Sequence, residues 1–265
     1  MRKYQECLKA TRNIDILIQA AATTSGSKDI INTPYVHVTD NAIINSYLLK
    51  ASFQNKIKQF IFTSCTVMYG DSKKPLKENQ VKEQEIFPAY YGVANTKLYI
   101  EKMCKFFSTI CKTRFSIIRH SNIYGPNDKF DINKGHFIGS SIYKVFNEKN
   151  NYVKIFGKGD EKRDYLYIDD FLDFVNKIIG QKKAFEIINC GYGKSFKIKD
   201  VLNIIIKLSN KKKKIKYLST SKNINVNILI DVKKAKKLLN WVPKHNLISG
   251  LKKTILWYKK NEKIL

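Results

Sequence analysis

A chain of 265 residues with 43% hydrophobic residues is long enough to bury a large core, which excludes a disordered polypeptide. Its apolar runs stop short of the roughly 18 residues a membrane span needs, no signal peptide opens it, and its five cysteines lack metal-ligand spacing. No metal site is expected, and the thiols read as reduced and the location as cytoplasmic. The net charge of +27 invites nucleic-acid binding, yet only five of the 49 basic residues are Arg, at positions 2, 12, 114, 119 and 163. Lys, Asn and Ile share A/T-rich codons, so coding bias accounts for the excess and no nucleic-acid partner is expected. The run Lys211–Lys214 reads as a solvated helix end or loop.

In chain order, Ile14–Ile18 reads as a buried strand ending in the small residues Ala20, Ala21 and Ala22. Residues 38–54 show helical spacing, with Ile43, Ile44, Tyr47, Leu48 and Ala51 on one side. Gln59–Thr63 is a second strand and Phe115–Arg119 a third, with a long helix over 89–111 between them, entered after Pro88. Strand, helix and strand in alternation predict right-handed crossovers and a parallel sheet. Beyond Pro126 come a helix over 137–148, a short strand at 152–156, a turn over Gly157–Asp160, the segment Arg163–Ile168, and a helix with Asp169 or Asp170 as N-cap. A strand at 185–189 and helices near 198–209, 232–240 and 247–260 complete the chain. Residues 1–125 form a partial Rossmann-like domain. Residues 126–265 form mostly a smaller α+β lobe, interleaved with late sheet strands.

Seven segments, in one order, carry a resemblance. They are Ala20–Ala22, Ser64–Gly70, Tyr91-Gly92-Val93 with Lys97 and Glu101, and Asn122–Pro126. Arg163–Asp170, Asn189–Gly191 and Leu239–Pro243 complete the set. Together they resemble the extended short-chain dehydrogenase/reductase family, the NAD-dependent epimerases and dehydratases of nucleotide sugars. The resemblance implies an α/β fold with a Rossmann-like parallel sheet and a substrate-binding lobe. It also implies NAD or NADP as cofactor, a nucleotide-sugar substrate, and a homodimer through the helix at 89–111. Members of the family open with a Gly-x-x-Gly-x-x-Gly turn that cradles the dinucleotide pyrophosphate. Here the only glycine before Gly70 is Gly26, so the sheet is expected to lack its first β-α units and cofactor binding to be compromised.

The same resemblance implies site residues. Lys97 matches the family Lys, which lowers the pKa of a Tyr base four residues earlier; here that position is Val93. Tyr91 lies six residues before Lys97, about 240° around a regular helix, and Tyr90 lies seven before, two turns along the axis. The base is Tyr91 folded back over the first turn, or Tyr90 or Tyr91 brought round by a helical bulge, or the chain has none. Counting back from Tyr69 places Cys65, flanked by Ser64 and Thr66, where the family has Ser or Thr. Val67 and Thr66 stand where 4,6-dehydratases carry acidic residues. Ala20, Ala21, Lys97 and His120 are assigned to the cofactor, Asn122 and Arg163 to the substrate diphosphate. His136, after Asn127–Asp131, resembles the acid of GDP-L-fucose synthase-like enzymes. The expected reaction is hydride transfer at a sugar carbon, C4, of a GDP- or other NDP-sugar, by an epimerase or reductase serving polysaccharide synthesis. The alternative is a non-catalytic relative binding RNA or a partner through its basic surface.

Overall fold

The computed structural model describes residues 2–24, 30, 32–219 and 226–262. A four-stranded sheet forms its centre, in the order β1 (Ile16–Gln19), β2 (Gln59–Thr63), β3 (Arg114–His120) and β7 (Phe185–Cys190), every pair parallel. Period-2 side-chain alternation explains its two buried faces. Phe60, Phe62, Phe115 and Ile117 point to a cluster with Leu48, Leu49, Ile100 and Cys104, on helices α2 (Thr39–Gln54) and α3 (Tyr91–Ile110). Ile61 and Ile118 point the other way, to Phe174 and Ile178 of helix α5 (Ile168–Ile178), with Trp241. Because both faces are covered, these strands read as continuous apolar runs. Strand β1 lies at the sheet edge, pairing only β2 among the described residues, with Ile18 44% exposed.

A second layer positions the site. Strand β4 (Asn122–Tyr124) pairs parallel with β6 (Lys162–Tyr167), which pairs antiparallel with β8 (Ser195–Lys197). Strand β5 (Tyr152–Phe156) pairs with β9 (Lys214–Leu218). Helices α4 (Phe137–Asn147), α6 (Ile198–Ser209) and α8 (Leu247–Asn261) pack on these strands around a core with Val153, Ile205 and Leu251. Among the described residues, two further α-helices are α1 (Tyr4–Ala10) and α7 (Lys233–Leu239). No described helix is long and apolar enough to cross a membrane.

Several local expectations are corrected. Helix α5 begins at Ile168 with Tyr167 as N-cap. The Asp170 carboxylate caps no helix of its own. It accepts the backbone N–H groups of Lys244 and His245 at 2.9 and 3.0 Å, tying the C-terminal segment to α5. Lys214, read with the three lysines before it as a solvated helix end or loop, opens β9. Helix α1 and strands β4 and β8 were not anticipated. Gly26 lies outside the described residues.

Candidate active site

The carboxyl ends of β1, β2 and β3 finish side by side, the place where parallel sheets present ligand-contacting groups. Thr63 Oγ1 donates to the Gln19 carbonyl at 2.9 Å, and Ser64 N donates to the Ile118 carbonyl at 2.8 Å, locking the three ends together. Beyond β1, the Gln19 side chain donates to the Ala21 carbonyl at 2.8 Å and accepts from its N–H at 3.3 Å. The turn this fixes leaves Ala20 and Ala21 exposed.

Helix α3 delivers Lys97 to this place. Its Nζ donates to the Thr63 carbonyl at 2.9 Å and stands 4.7 Å from the centre of the Phe62 ring. Burial lowers the Lys97 pKa, while Cys65 and Glu101 oppose that shift. Burial raises the Cys65 thiol and Lys97 pulls it back, so thiol and ammonium are electrostatic neighbours. Tyr90 is 9% exposed; burial raises its phenol, which accepts a hydrogen bond from Arg163 and also feels Cys65. Lys97, Cys65, Tyr90 and Arg163 thus run as a chain of neighbours from the strand ends to β6.

His120 closes the other side. Its Nδ1 lies 2.8 Å from the Ser121 carbonyl, which can only accept, so Nδ1 carries the proton and Nε2 is left as acceptor. Burial lowers its pKa to about 4, with Lys97 and His136 pushing in the same direction, so at neutral pH the ring is uncharged. His136, the N-cap residue of α4, is exposed, yet its imidazole is crowded enough for desolvation to lower its pKa. Asp128 opposes that shift, and Lys129 and His37 add to it. Lys129 Nζ reaches back to the Thr24 carbonyl at 3.3 Å, joining the loop after β4 to the loop after β1.

Ser64 and Tyr91 fall elsewhere. Ser64 is fully buried and donates to Glu101 Oε1 at 2.7 Å, so its hydroxyl faces the protein. Tyr91 is the first residue of a regular helix with 63% of its surface exposed, and Val93 occupies the turn before Lys97. Asn122 is exposed and donates to the Asp164 carbonyl at 2.9 Å. Arg163 donates to the carbonyl oxygens of Lys162, at 3.1 Å, and of Val226.

Beneath the strand ends lies a buried polar network that was not anticipated. Glu101, one turn after Lys97, meets Arg119 at 2.6 Å with both side chains 4% exposed. Arg119 also donates to the Tyr69 hydroxyl at 3.1 Å and to the Glu78 carbonyl at 2.8 Å, and Tyr69 donates to Asn189 at 2.7 Å. Burial raises the Tyr69 phenol to about 12 despite Arg119, so it stays a donor. A lone charge here would be costly, and the pair fixes the turn that carries Cys65. The spacing Lys97 to Glu101 marks one helix face, but nothing local pairs it with a residue on another strand.

The sequence matches the model of the NAD dependent epimerase/dehydratase family over residues 2–191. UDP-glucuronate 4-epimerase of Thermodesulfobacterium geofontis is 30% identical over 96% of this chain and 76% of its own length. GDP-L-colitose synthase of Yersinia pseudotuberculosis is 27% identical over 94% and 82%. Among solved structures, UDP-glucose 4-epimerase of Thermotoga maritima with UDP-glucose superimposes with a TM-score of 0.87 at 22% identity. That match covers 98% of this chain and 83% of the other. UDP-glucuronic acid 4-epimerase of Bacillus cereus, in complex with UDP-glucuronic acid and NAD, gives 0.83 at 26% identity, covering 96% and 78%.

Proposed function

Since the chain belongs to the NAD-dependent epimerase/dehydratase family, we propose that it moves hydride at C4 of an NDP-sugar, with GDP- and UDP-sugars as the candidate substrates. The observation that carries this reading is the run Lys97, Cys65, Tyr90 and Arg163 at the strand ends. It offers an ammonium at one end and a guanidinium fork at the other, the spacing of tasks that a sugar diphosphate requires. Two relatives whose names include UDP-glucuronate and GDP-L-colitose support the substrate class.

NAD or NADP is the cofactor this reading requires, and the donor set suits its nicotinamide ribose. An ammonium has three protons and Lys97 gives one to Thr63, which leaves donors for ribose hydroxyls. The exposed Ala20 and Ala21 leave room beside it, and His120 borders the same place. When bound, the cofactor takes up and returns the hydride. The chain's own groups bind and orient the sugar and hold its proton. Arg163 and Asn122 anchor the diphosphate, Cys65 donates to the sugar hydroxyl, and His136 stands beside the loop after β4. Tyr90, buried on the Lys97 face, is the phenol this geometry favours as proton acceptor over the exposed Tyr91. A second copy packs on α2 and α3, whose Phe53, Tyr99, Phe106 and Ile110 are all at least 40% exposed, and the working location is the cytoplasm.

The test is incubation of the full chain with NAD or NADP and with UDP-glucuronate, UDP-glucose or a GDP-hexose, followed by chromatography of the epimers. Melting curves with each NDP-sugar give a second readout. Because the Tyr90 phenol is raised above its ordinary value by burial, turnover should climb as pH increases from 7 to 10. Tyr90→Phe should remove that climb and Tyr91→Phe should keep it. Stabilisation by no NDP-sugar, together with no conversion, would defeat the reading.

A further inference from the structure

Arg163, Tyr165 and Tyr167 alternate with Asp164 and Leu166 along β6, so the first three share one face. Asn122 pairs with Tyr165 in register across from β4, which puts it on that face as well. Tyr165 is 4% exposed, its ring edge-on to Tyr124 at 6.4 Å and tilted against Phe137 at 6.3 Å. Its hydroxyl oxygen is sealed from solvent and has no hydrogen-bond partner among the described residues. Folded proteins hold few such groups, because a buried hydroxyl without a partner is destabilising. Other buried tyrosines do better: Tyr124 donates to the Leu247 carbonyl at 3.3 Å, and Tyr69 to Asn189. The groups within electrostatic reach of the Tyr165 hydroxyl are Arg163, Glu161 and Tyr90. Two of these, Arg163 and Tyr90, are themselves hydrogen-bonded neighbours. Burial raises the phenol against the pull of Arg163, so at neutral pH it has a proton to give.

We infer that the Tyr165 hydroxyl is a ligand-binding donor of the anionic subsite centred on Arg163, which forms its bond when a nucleoside diphosphate occupies that subsite. The guanidinium now donates to the neutral carbonyl oxygens of Lys162 and Val226. A diphosphate offers charge-assisted, bidentate acceptors, roughly twice as strong, and so competes well for Arg163. Drawing the guanidinium toward the ligand brings phosphoryl oxygens to the one face of β6 where a donor waits unpaired. The inference rests on the nucleotide-sugar reading above and names a residue that reading does not use.

Tyr165→Phe removes a single oxygen and keeps the ring packing, so the variant folds. Calorimetric titration of the full chain and of this variant with UDP and with GDP provides the measurement. The expected result is a loss of affinity of about tenfold or more for the diphosphate that binds. Uridine or guanosine should then bind both proteins equally, and the ligand-free melting temperature should be unchanged or higher. Equal diphosphate affinity would overturn the inference alone, as it would if a water molecule satisfies the hydroxyl. A lower ligand-free melting temperature would also overturn it, by revealing an internal partner. A full chain that binds neither UDP nor GDP would overturn the nucleotide-sugar reading and this inference with it.

Discussion

Cys65 faces Lys97 where relatives of this fold are expected to carry a hydroxyl, and a thiol is the weaker hydrogen-bond donor of the two. Cys65→Ser should therefore raise kcat/KM roughly three- to tenfold in the epimer assay, a gain of about 1 kcal/mol; a decrease would show that the thiol has a role of its own. His120 gives a second test at this scale. Its folded pKa, about 4, lies below the ordinary 6.5, so the unfolded chain binds more protons between those values. The neutral ring thus contributes stability above pH 6.5 that is lost as pH falls toward 4, by roughly 2–3 kcal/mol. Asp164, raised to about 6 by burial, works in the opposite direction over a similar range. Comparing His120→Gln with the parent chain isolates the histidine: melting temperatures of the two should converge between pH 6.5 and 4. Lys97 was picked out by its resemblance to the family Lys, with Glu101 one turn later. Tyr165 was not, because its interest lies in a partner that is missing, and a sequence cannot show that.

At the scale of elements, the central strands were readable since two-sided burial writes them as apolar runs. Strand β9 was hidden for the opposite reason. Lys214, Lys216 and Tyr217 leave it mostly exposed, and it forms a two-stranded ribbon in which Lys216 stands 4.9 Å from the Tyr152 ring centre. Its polar side reads as a charge run. The entry to α3 was left open among alternatives by the sequence, and it resolves as a 3-10 turn over Pro88–Tyr90 leading into a regular helix without a bulge. That regularity separates Tyr90 from Tyr91. On the outer side of the same helix, Phe106 is 52% exposed and lies 5.6 Å from Phe107, itself 5.8 Å from Phe53 of α2. A charge there should block self-association through this surface. Phe106→Glu is expected to shift a dimer to a monomer in sedimentation-velocity runs, with an unchanged circular dichroism spectrum; an unaltered sedimentation coefficient would place the contact elsewhere.

Across the whole molecule, the two halves of the chain are joined by the sheet itself. Strand β7, contributed from residues 185–190, pairs with β3 and continues the order begun by β1 and β2. The run of neighbours at the strand ends therefore draws on both halves: Cys65 and Lys97 from the first, Arg163 from the second. Separating the chain near residue 125 would divide the central sheet and this run of neighbours together. Apolar runs of strand length recur on both sides of the Gly125–Pro126 turn, and one of them supplies β7.

The position of β1 has a consequence for handling the protein. Its outward N–H and C=O groups form a row that meets no neighbouring strand among the described residues, beside a half-uncovered Ile18. Such a row is a template for another polypeptide, and mutual repulsion among chains carrying +27 should oppose the approach of two templates. Salt weakens that repulsion over about 8 Å at physiological ionic strength. Concentrated, salt-rich solutions are thus where strand-to-strand clumping should begin, and dilute, low-salt buffer is where the protein should keep best.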